Sequence, residues 1–278
     1  FQLAERERVV LAIDEYPYVA RASKSLASTF QLLIDKYKDI SKLMLILCGS
    51  SMSYMEDHVL AYKAPLYGRR TAQMKIMPFD FEETCAYFRN LSDEDKALIY
   101  GIVGGTPQYL LQMSDTLSVE ENIKNTYLNP MSFLYEEPGN LLKQEVREPA
   151  IYNAIITAIA TGHSRMSEIS TKVGEDTNLV SGYIKNLISL GIIKKETPYG
   201  EKAAKKSIYS IEDNMFYFWY RFVLDNNSVI VRGAADLVYK RIEAQLSDYM
   251  GRVFEEICTQ YLWKLLLLGK MPIEFVSL

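Results

Sequence analysis

The sequence feature that most constrains the fold of this chain is a short apolar run followed by two adjacent acids. Residues 9–13 read Val-Val-Leu-Ala-Ile, and Asp14 and Glu15 follow directly. A continuous apolar run of this length predicts a strand that is buried on both faces of a parallel sheet. Two acids at the end of such a strand can hold a Mg²⁺ ion and orient a water molecule. Acids also follow strands without any catalytic role, so this reading depends on what lies beside them.

A second apolar run makes the first one part of a βαβ unit. Residues 23–37 have helical apolar spacing, and the run at 43–48 is followed by Gly49-Ser50-Ser51. In open α/β sheets the ligand binds at the carboxyl ends of the strands. Ser50 and Ser51 are therefore predicted to contact a nucleotide phosphate near Asp14. The alternative is a turn that uses Gly and Ser for backbone reasons.

Two further features are candidates for the same site. Arg69 and Arg70 precede a third predicted strand at 73–77. Arginine makes planar bidentate contacts with phosphate oxygens, and a neighbouring subunit of a homo-oligomer could supply it. A surface ion pair is the alternative. Gly105 and Pro107 could bend a helical lid over a nucleotide, or they could simply break a helix.

The loop that cradles phosphates in P-loop ATPases is missing from the printed sequence. That loop reads Gly-x-x-x-x-Gly-Lys-Ser/Thr, because its backbone amides and its lysine surround the phosphates. The one Gly-Lys pair here is Gly269-Lys270, and Met271 follows it. We expect the loop upstream of Phe1 in a longer protein, and we expect this chain neither to bind nor to hydrolyse ATP appreciably.

Composition bounds the class of protein. The chain has 278 residues, is 49% hydrophobic and carries a net charge of −4. This length predicts two or three domains, and this charge leaves any nucleic-acid contact to a local patch. The three cysteines show no CxxC spacing, which argues against a zinc site or a disulfide framework. We expect a soluble cytoplasmic protein without a membrane span.

The segment from residue 150 onward predicts a winged helix. Helices are expected at 150–161, 165–173 and 177–190, and alternating strands at 192–196 and 207–211. Three helices followed by a hairpin is the order of a winged helix, which places its third helix in the major groove of duplex DNA. Many such domains serve only for packing.

Several polar and basic residues of this segment are candidates for DNA contact. The helix residues would face the bases and the lysines would contact phosphates. Glu196 and Glu201 dilute the basic charge of the hairpin. The predicted DNA-binding residues are Asn178, Ser181, Lys185, Lys194, Lys195, Lys202, Lys205 and Lys206.

Residues 215–223 contain six aromatic side chains. Crowded aromatics usually form core, although an exposed set could stack on bases. A final amphipathic helix is expected at 248–268.

Taken in their order along the chain, the strand, turn, helix and aromatic motifs resemble the archaeal-type ATPase family, a branch of the P-loop ATPases related to the AAA+ and signal-transduction ATPases. Its members carry a winged helix and a C-terminal nuclease-like domain of unknown function. The stretches that carry the resemblance are LAIDEYPY at 11–18, LCGSSMS at 47–53, PLYGRRT at 65–71, GIVGGTPQY at 101–109, FLYEEP at 133–138 and FYFWYRF at 216–222.

The resemblance implies ATP and Mg²⁺ as cofactors and assigns roles to single residues. Asp14 would be the Walker B magnesium residue and Glu15 the catalytic acid. Ser50 or Ser51 would be the sensor, and Arg69 or Arg70 the arginine contact. In the C-terminal domain, Glu255 would be a metal ligand of a restriction-endonuclease-like fold, whose other ligands are expected after Leu278.

The expected fold is α/β plus α. Residues 1–80 would form the C-terminal half of a P-loop core, 81–146 a helical lid, 147–212 the winged helix, and 213–278 the aromatic segment and the start of a nuclease-like domain. The leading function is an ATPase that drives a conformational switch. The alternatives are a winged-helix DNA-binding protein and a nuclease-linked effector.

Overall fold

The computed structural model describes residues 1–50, 54–197 and 207–275. The chain divides into two compact units, residues 1–76 and residues 77–278. Predictions for Ser51, Lys202, Lys205 and Lys206 lie outside the described residues.

Unit 1 is built around two parallel strands. Val9 pairs with Leu43 and Ile13 with Leu47, so both strands end at the same edge. Two helices connect them along the chain, which confirms the predicted strand–helix–strand unit. The elements are β1 (Val9–Ile13), α1 (Tyr16–Ala22), α2 (Leu26–Tyr37) and β2 (Leu43–Leu47).

The prediction that these strands are buried on both faces is wrong for the described residues. Val10 is 58% exposed and Met44 is 50% exposed. The small core of unit 1 includes Tyr16 on α1, Phe30 on α2 and Leu66, which follows β2 in the chain. A two-stranded sheet has too few neighbours to cover all its apolar side chains, so a run typical of a fully buried strand remains partly open.

The third predicted strand, residues 73–77, is also absent from the described structure. Met74 and Ile76 are 82% and 80% exposed, respectively. A strand needs a hydrogen-bonded neighbour, and no described strand pairs with this segment. Pro78 favours extended backbone at residue 77, which makes the segment resemble a strand in sequence without making it one.

Unit 2 is mostly helical, and its described residues contain one antiparallel hairpin, in which Ile193 pairs with Ile211. Ser92 caps its second helix by accepting a hydrogen bond from the Asp95 amide at 3.1 Å, as its capping pattern predicts. The helices up to the hairpin are α3 (Phe81–Tyr87), α4 (Asp93–Val103), α5 (Pro107–Leu110), α6 (Val119–Thr126), α7 (Phe133–Glu145), α8 (Pro149–Ala160), α9 (Met166–Val173) and α10 (Thr177–Ser189).

The hairpin strands are β3 (Ile193–Glu196) and β4 (Ile208–Ile211), followed by the short helix α11 (Asn214–Phe218). After a π-helical turn (Trp219–Val223) and a 3₁₀ turn (Leu224–Asn226) come α12 (Asn227–Ile230) and the long helix α13 (Ala235–Leu267). The last helix begins at Ala235, 13 residues before its predicted start at Asp248. Val238, Tyr239 and Ile242 extend its buried stripe toward the N-terminus.

One continuous hydrophobic core runs through unit 2. The aromatic side chains of Phe216, Phe218, Tyr220 and Phe222 are buried in it. Their role as core is therefore confirmed, and these four rings are not available to stack on bases. No helix of residues 1–50, 54–197 and 207–275 is both long and apolar enough to cross a membrane.

The last carbonyls of α4 are bound by side chains from distant parts of unit 2. Tyr127 donates its hydroxyl to Ile102 O at 2.9 Å, and Tyr249 donates to Gly101 O at 2.6 Å. Asn214 Nδ2 donates to the carbonyl oxygen of Tyr100 at 3.2 Å. The Tyr100 oxygen also accepts from the Gly104 amide at 2.8 Å. Helix ends leave carbonyls without intrahelical partners, and the two tyrosines satisfy those of Gly101 and Ile102 inside the core.

Candidate functional site

The two acids that follow β1 adopt an unusual backbone. Glu15 has φ 49° and ψ 40°, and it is the one non-glycine residue with positive φ among the described residues. The left-handed region costs a residue with a side chain about 1 to 2 kcal/mol. Asp14 Oδ1 offsets part of this cost by accepting a hydrogen bond from the Glu15 amide at 2.9 Å. Such strain persists where surrounding contacts hold it, and it is concentrated at functional sites.

Those surrounding contacts come from the end of β2. The Cys48 amide donates to Ile13 O at 3.0 Å, and the Tyr16 amide donates to Cys48 O at 2.8 Å. Ser50 Oγ then lies 3.2 Å from Glu15 Oε1 and 3.3 Å from Glu15 Oε2, and donates to this carboxylate. The structure thus brings Glu15 and Ser50 together, 35 residues apart in sequence.

Gly49 allows this approach. A Cβ at Gly49 would lie 2.5 Å from Cδ of Pro17, closer than side chains pack. The glycine is needed for close contact with the proline at the start of α1. This agrees with the alternative that the turn uses glycine for backbone reasons. Pro17 is missing from the predicted site residues, although proline just after an acid pair is itself a helix-start signal.

The donor set at this edge fits a magnesium ion. Asp14 is exposed and Glu15 is half-buried, and the Ser50 hydroxyl lies beside the Glu15 carboxylate. Mg²⁺ prefers oxygen ligands and usually takes one or two carboxylates, with water and phosphate oxygens completing its shell. Among the described residues, no group of three or more His, Cys, Asp or Glu side chains is placed to hold a metal.

Arg69 forms an ion pair and hydrogen bonds within unit 1. Its Nε and Nη2 donate to the two carboxylate oxygens of Asp35 at 2.8 and 2.7 Å. Nη1 donates to the carbonyl oxygens of Pro65 and Tyr67 at 3.0 and 3.1 Å. The hydrogen bonds from Arg69 hold the pKa of Asp35 below its ordinary value. This geometry is the surface ion pair that the sequence left open as an alternative.

Arg70 differs from its neighbour. Its side chain is exposed and has no ion pair or hydrogen bond within the portion of the chain that the structure describes. The sequence could not separate the two arginines. Asp35, whose ion pair distinguishes Arg69 from Arg70, lies on α2. The sequence around Asp35 does not indicate this role.

Gly105 and Pro107 lie in unit 2. A Cβ on Gly105 would fall 1.8 Å from the carbonyl oxygen of Phe79, and the Phe79 amide donates to Gly105 O at 2.9 Å. Pro107 is the first residue of α5, where its lack of an amide hydrogen has no cost. The structure gives both residues a backbone role, and their predicted contact with a nucleotide stays a prediction.

The predicted DNA face is accessible in part. Asn178 and Lys185 are exposed on α10, and Ser181 is half-buried between them. Lys194 forms an ion pair with Glu196 at 2.7 Å, which reduces the basic charge of the hairpin as the sequence suggested. Lys195 is exposed.

Glu255 is exposed on α13. Its role as a metal ligand stays a prediction.

Comparisons with known proteins agree with part of this picture. Residues 2–113 match the family described as an ATPase domain predominantly from Archaea, and residues 219–278 match a family of archaeal and bacterial proteins of unknown function. The chain is 34% identical over 270 residues to an uncharacterised protein of Methanocaldococcus jannaschii. That alignment covers 97% of the chain and 61% of the length of the relative. Residues 2–113 are thus similar to an archaeal-type ATPase domain, and all candidate nucleotide-site residues from Asp14 to Pro107 lie within that match.

Proposed function

We propose that the carboxyl edge of β1 and β2 is part of the nucleotide site of an ATPase. Asp14 holds the magnesium ion of ATP, and Glu15 orients and polarises the water that attacks the terminal phosphate. The match of residues 2–113 to an ATPase domain supports this assignment.

The observation that carries the proposal is the contact between Ser50 and Glu15. It fixes the carboxylate of a strained residue at the edge where parallel sheets bind ligands. Strained backbone of this kind is concentrated at functional sites. A catalytic acid gains a fixed direction for its carboxylate.

The remaining polar groups have distinct proposed roles. The magnesium ion supplies charge neutralisation at the phosphates when it is bound. Ser50 acts as the sensor, because its hydroxyl reaches the edge of the site. Arg70 is the proposed arginine contact, since Arg69 is bound to Asp35. If Arg70 acts on the nucleotide of a neighbouring copy, the working form is a homo-oligomer, and hydrolysis drives a conformational switch.

The experiment uses the natural full-length protein. We expect Glu15→Gln to keep Mg²⁺-dependent binding of a fluorescent ATP analogue while hydrolysis falls by about 100-fold or more, because the water loses its activating carboxylate. Asp14→Asn weakens the magnesium dependence of binding. Ser50→Ala lowers kcat more than it changes KM. Glu7→Gln, an exposed acid outside the site, is the matched control. Hydrolysis at the natural rate in the Glu15 variant contradicts the proposal.

A second candidate function is binding of duplex DNA by residues 149–211. This region folds as three helices followed by a hairpin, and its third helix exposes Asn178 and Lys185. It holds eight Lys or Arg residues against five Asp or Glu, whereas the whole chain has a net charge of −4. This local positive balance favours a winged helix that contacts phosphates over one that only packs.

The test of this second function is a gel-shift titration of the full chain with duplex DNA at two salt concentrations. We expect Lys185→Gln combined with Lys195→Gln to weaken binding several-fold and to reduce its salt dependence. Lys143→Gln together with Lys270→Gln removes the same charge at exposed positions outside residues 149–211 and serves as control. Absence of any shift at low salt supports the packing role instead.

A further inference from the structure

The turn that carries Ser50 is packed directly against the start of α1. A Cβ built on Gly49 would lie 2.5 Å from Cδ and 2.7 Å from Cγ of Pro17. Met55 Sδ would lie 3.5 Å from the same Cβ, which is ordinary contact. Gly49 directly precedes Ser50, and Pro17 follows Glu15 by two positions. One glycine–proline contact therefore sets how closely the two polar side chains of the site approach each other.

The α1 side of this contact is anchored in the core of unit 1. Tyr16 is 1% exposed, and its ring centroid lies 6.4 Å from that of Phe30. Pro17 is buried, and Ala20 on the same helix is 8% exposed. A proline ring is closed on its own backbone nitrogen, so it cannot rotate away as a flexible side chain can. The start of α1 is therefore a fixed stop.

The β2 side of the contact is held at Cys48 and is more accessible beyond it. The amide and the carbonyl oxygen of Cys48 form backbone hydrogen bonds of 3.0 and 2.8 Å to the end of β1 and the start of α1. Gly49 is half-buried and Ser50 is exposed. A methyl group added at Gly49 would therefore displace Gly49 and Ser50 about Cys48, and would leave Glu15 in place.

This displacement is large enough to separate Ser50 from Glu15. The added Cβ must retreat by about 0.9 Å to reach the 3.4 Å at which ordinary contact begins. The Ser50 hydroxyl is already 3.2 and 3.3 Å from the two carboxylate oxygens of Glu15, at the long end for a hydrogen bond between oxygens. A displacement of about 1 Å at a reacting group can lower a rate by about 100-fold.

We propose that Pro17 is a positioning residue, whose ring sets the contact between Ser50 and Glu15 through Gly49. Gly49 is not one of the glycines with positive φ in the described part of the chain, so it is the space beside Pro17 that requires a glycine there. The role of Pro17 rests on the proposed function, because hydrolysis is the reaction that the positioned carboxylate of Glu15 serves.

The experiment measures kcat, KM and binding of a fluorescent ATP analogue with the natural full-length protein and its variants. The central comparison is a double-mutant cycle between Gly49→Ala and Pro17→Ala, since the second change removes both atoms that the new methyl group would strike. A second cycle combines Gly49→Ala with Ser50→Ala. Gly251→Ala on α13 is the matched control, because a Cβ there would meet nothing within 4 Å.

We expect Gly49→Ala to lower kcat by about 10- to 100-fold and to change KM and analogue binding by less than about threefold. In the Pro17→Ala background the same change should lower kcat by less than about threefold, because the obstacle is gone. It should also have little effect in the Ser50→Ala background, since the contact that it disrupts is already absent. The Gly251→Ala control should retain the natural kcat.

Thermal melting separates a loss of position from a loss of fold. If Gly49→Ala does not fold, the double variant with Pro17→Ala replaces it in the comparison. A folded double variant with the kcat of Pro17→Ala alone supports the positioning role. A double variant that is folded but slower, or that also fails to fold, overturns it.

Two further results overturn the positioning role. One is a Gly49→Ala protein with the natural kcat, and the other is an equal fall of kcat in the natural and Pro17→Ala backgrounds. Glu15→Gln distinguishes this failure from that of the proposed function. Hydrolysis at the natural rate in Glu15→Gln means that the proposed function has failed, and the role of Pro17 with it. Slow hydrolysis in Glu15→Gln without coupling between Gly49→Ala and Pro17→Ala means that the role of Pro17 alone has failed.

Discussion

The main chain of Phe79 lies directly against Gly105, so that a Cβ on Gly105 would fall 1.8 Å from the carbonyl oxygen of Phe79. The obstacle is backbone, which cannot rotate away as a side chain can. The two residues are also joined by a hydrogen bond from the Phe79 amide to Gly105 O at 2.9 Å. The Gly-Gly-Thr-Pro stretch is thus a packing contact between the segment before α3 and the end of α4.

We predict that Gly105→Ala lowers the free energy of unfolding of unit 2 by about 3 kcal/mol or more, because the backbone of one segment must move. The control is Gly139→Ala in α7, where a Cβ would meet nothing within 4 Å. Alanine there should stabilise the protein by about 0.5 to 1 kcal/mol through its helix propensity. Chemical denaturation of both variants tests the pair, and equal effects would contradict this account of Gly105.

Asp213 is the basis of a pH-dependent prediction. It caps α11 by accepting a hydrogen bond from the Phe216 amide at 3.1 Å. Burial raises the pKa of Asp213 to about 6, with smaller contributions from the charges of Glu212 and Glu256. A raised pKa means that the folded state favours the protonated acid. The fold therefore loses stability as pH rises from about 4, the ordinary pKa of aspartate, through about 6.

We predict that Asp213→Asn removes this loss, because asparagine caps a helix as well as aspartate does and carries no charge. At pH 7.5 the variant should be more stable than the natural chain by about 1 to 3 kcal/mol. Asp176→Asn, at an exposed cap of α10, is the control. Denaturation curves at several pH values give the free energy of unfolding of each variant. An Asp213→Asn variant that retains the natural pH dependence of stability refutes the role of Asp213.

Arg69 and Arg70 are predicted to respond differently to substitution. Arg69→Gln breaks the bidentate pair with Asp35 and should lower the stability of unit 1. The pKa of Asp35 is lowered in the fold, so the stability from this pair is present above its unfolded pKa and is lost as pH falls through the lowered value. Arg70→Gln should leave stability unchanged and lower ATP hydrolysis by the natural protein. Reversed effects in melting and hydrolysis assays would exchange the two assignments.

The hydroxyl of Tyr249 supports the end of α4. Tyr249→Phe removes the 2.6 Å hydrogen bond to Gly101 O and leaves a buried carbonyl without this donor. We expect a loss of about 1 to 3 kcal/mol in the free energy of unfolding. Tyr261→Phe, at an exposed position of the same helix, should change stability by less than about 0.5 kcal/mol. Similar losses in both variants would show that the hydrogen bond is not the cause.

Much of the local structure is readable from the chain. The apolar run before Asp14 predicts β1, and the second run predicts β2 at the same edge. Ser92 caps the start of α4, and the helix predicted at 165–173 ends at Val173, directly before the left-handed Gly174. These predictions succeed because apolar runs, helix caps and left-handed glycines act within a few residues of one another.

The degree of burial is not readable in the same way. The apolar composition of β1 indicates complete burial, yet Val10 is largely exposed. Exposure depends on which other elements cover a strand, and that information lies outside the strand. The segment at 73–77 fails for the same reason, because an extended, apolar sequence becomes a strand only beside a partner.

By itself the sequence determined that two acids, a strand–helix–strand unit and a serine would meet at one edge, since chain direction and parallel pairing leave little choice. Only the tertiary structure decided that Arg69 pairs with Asp35 and that Gly105 packs against the main chain of Phe79. The first contact joins residues 34 positions apart and the second residues 26 positions apart. No local periodicity encodes such pairings, because each is selected by the packing of whole elements and not by the propensities of neighbouring residues.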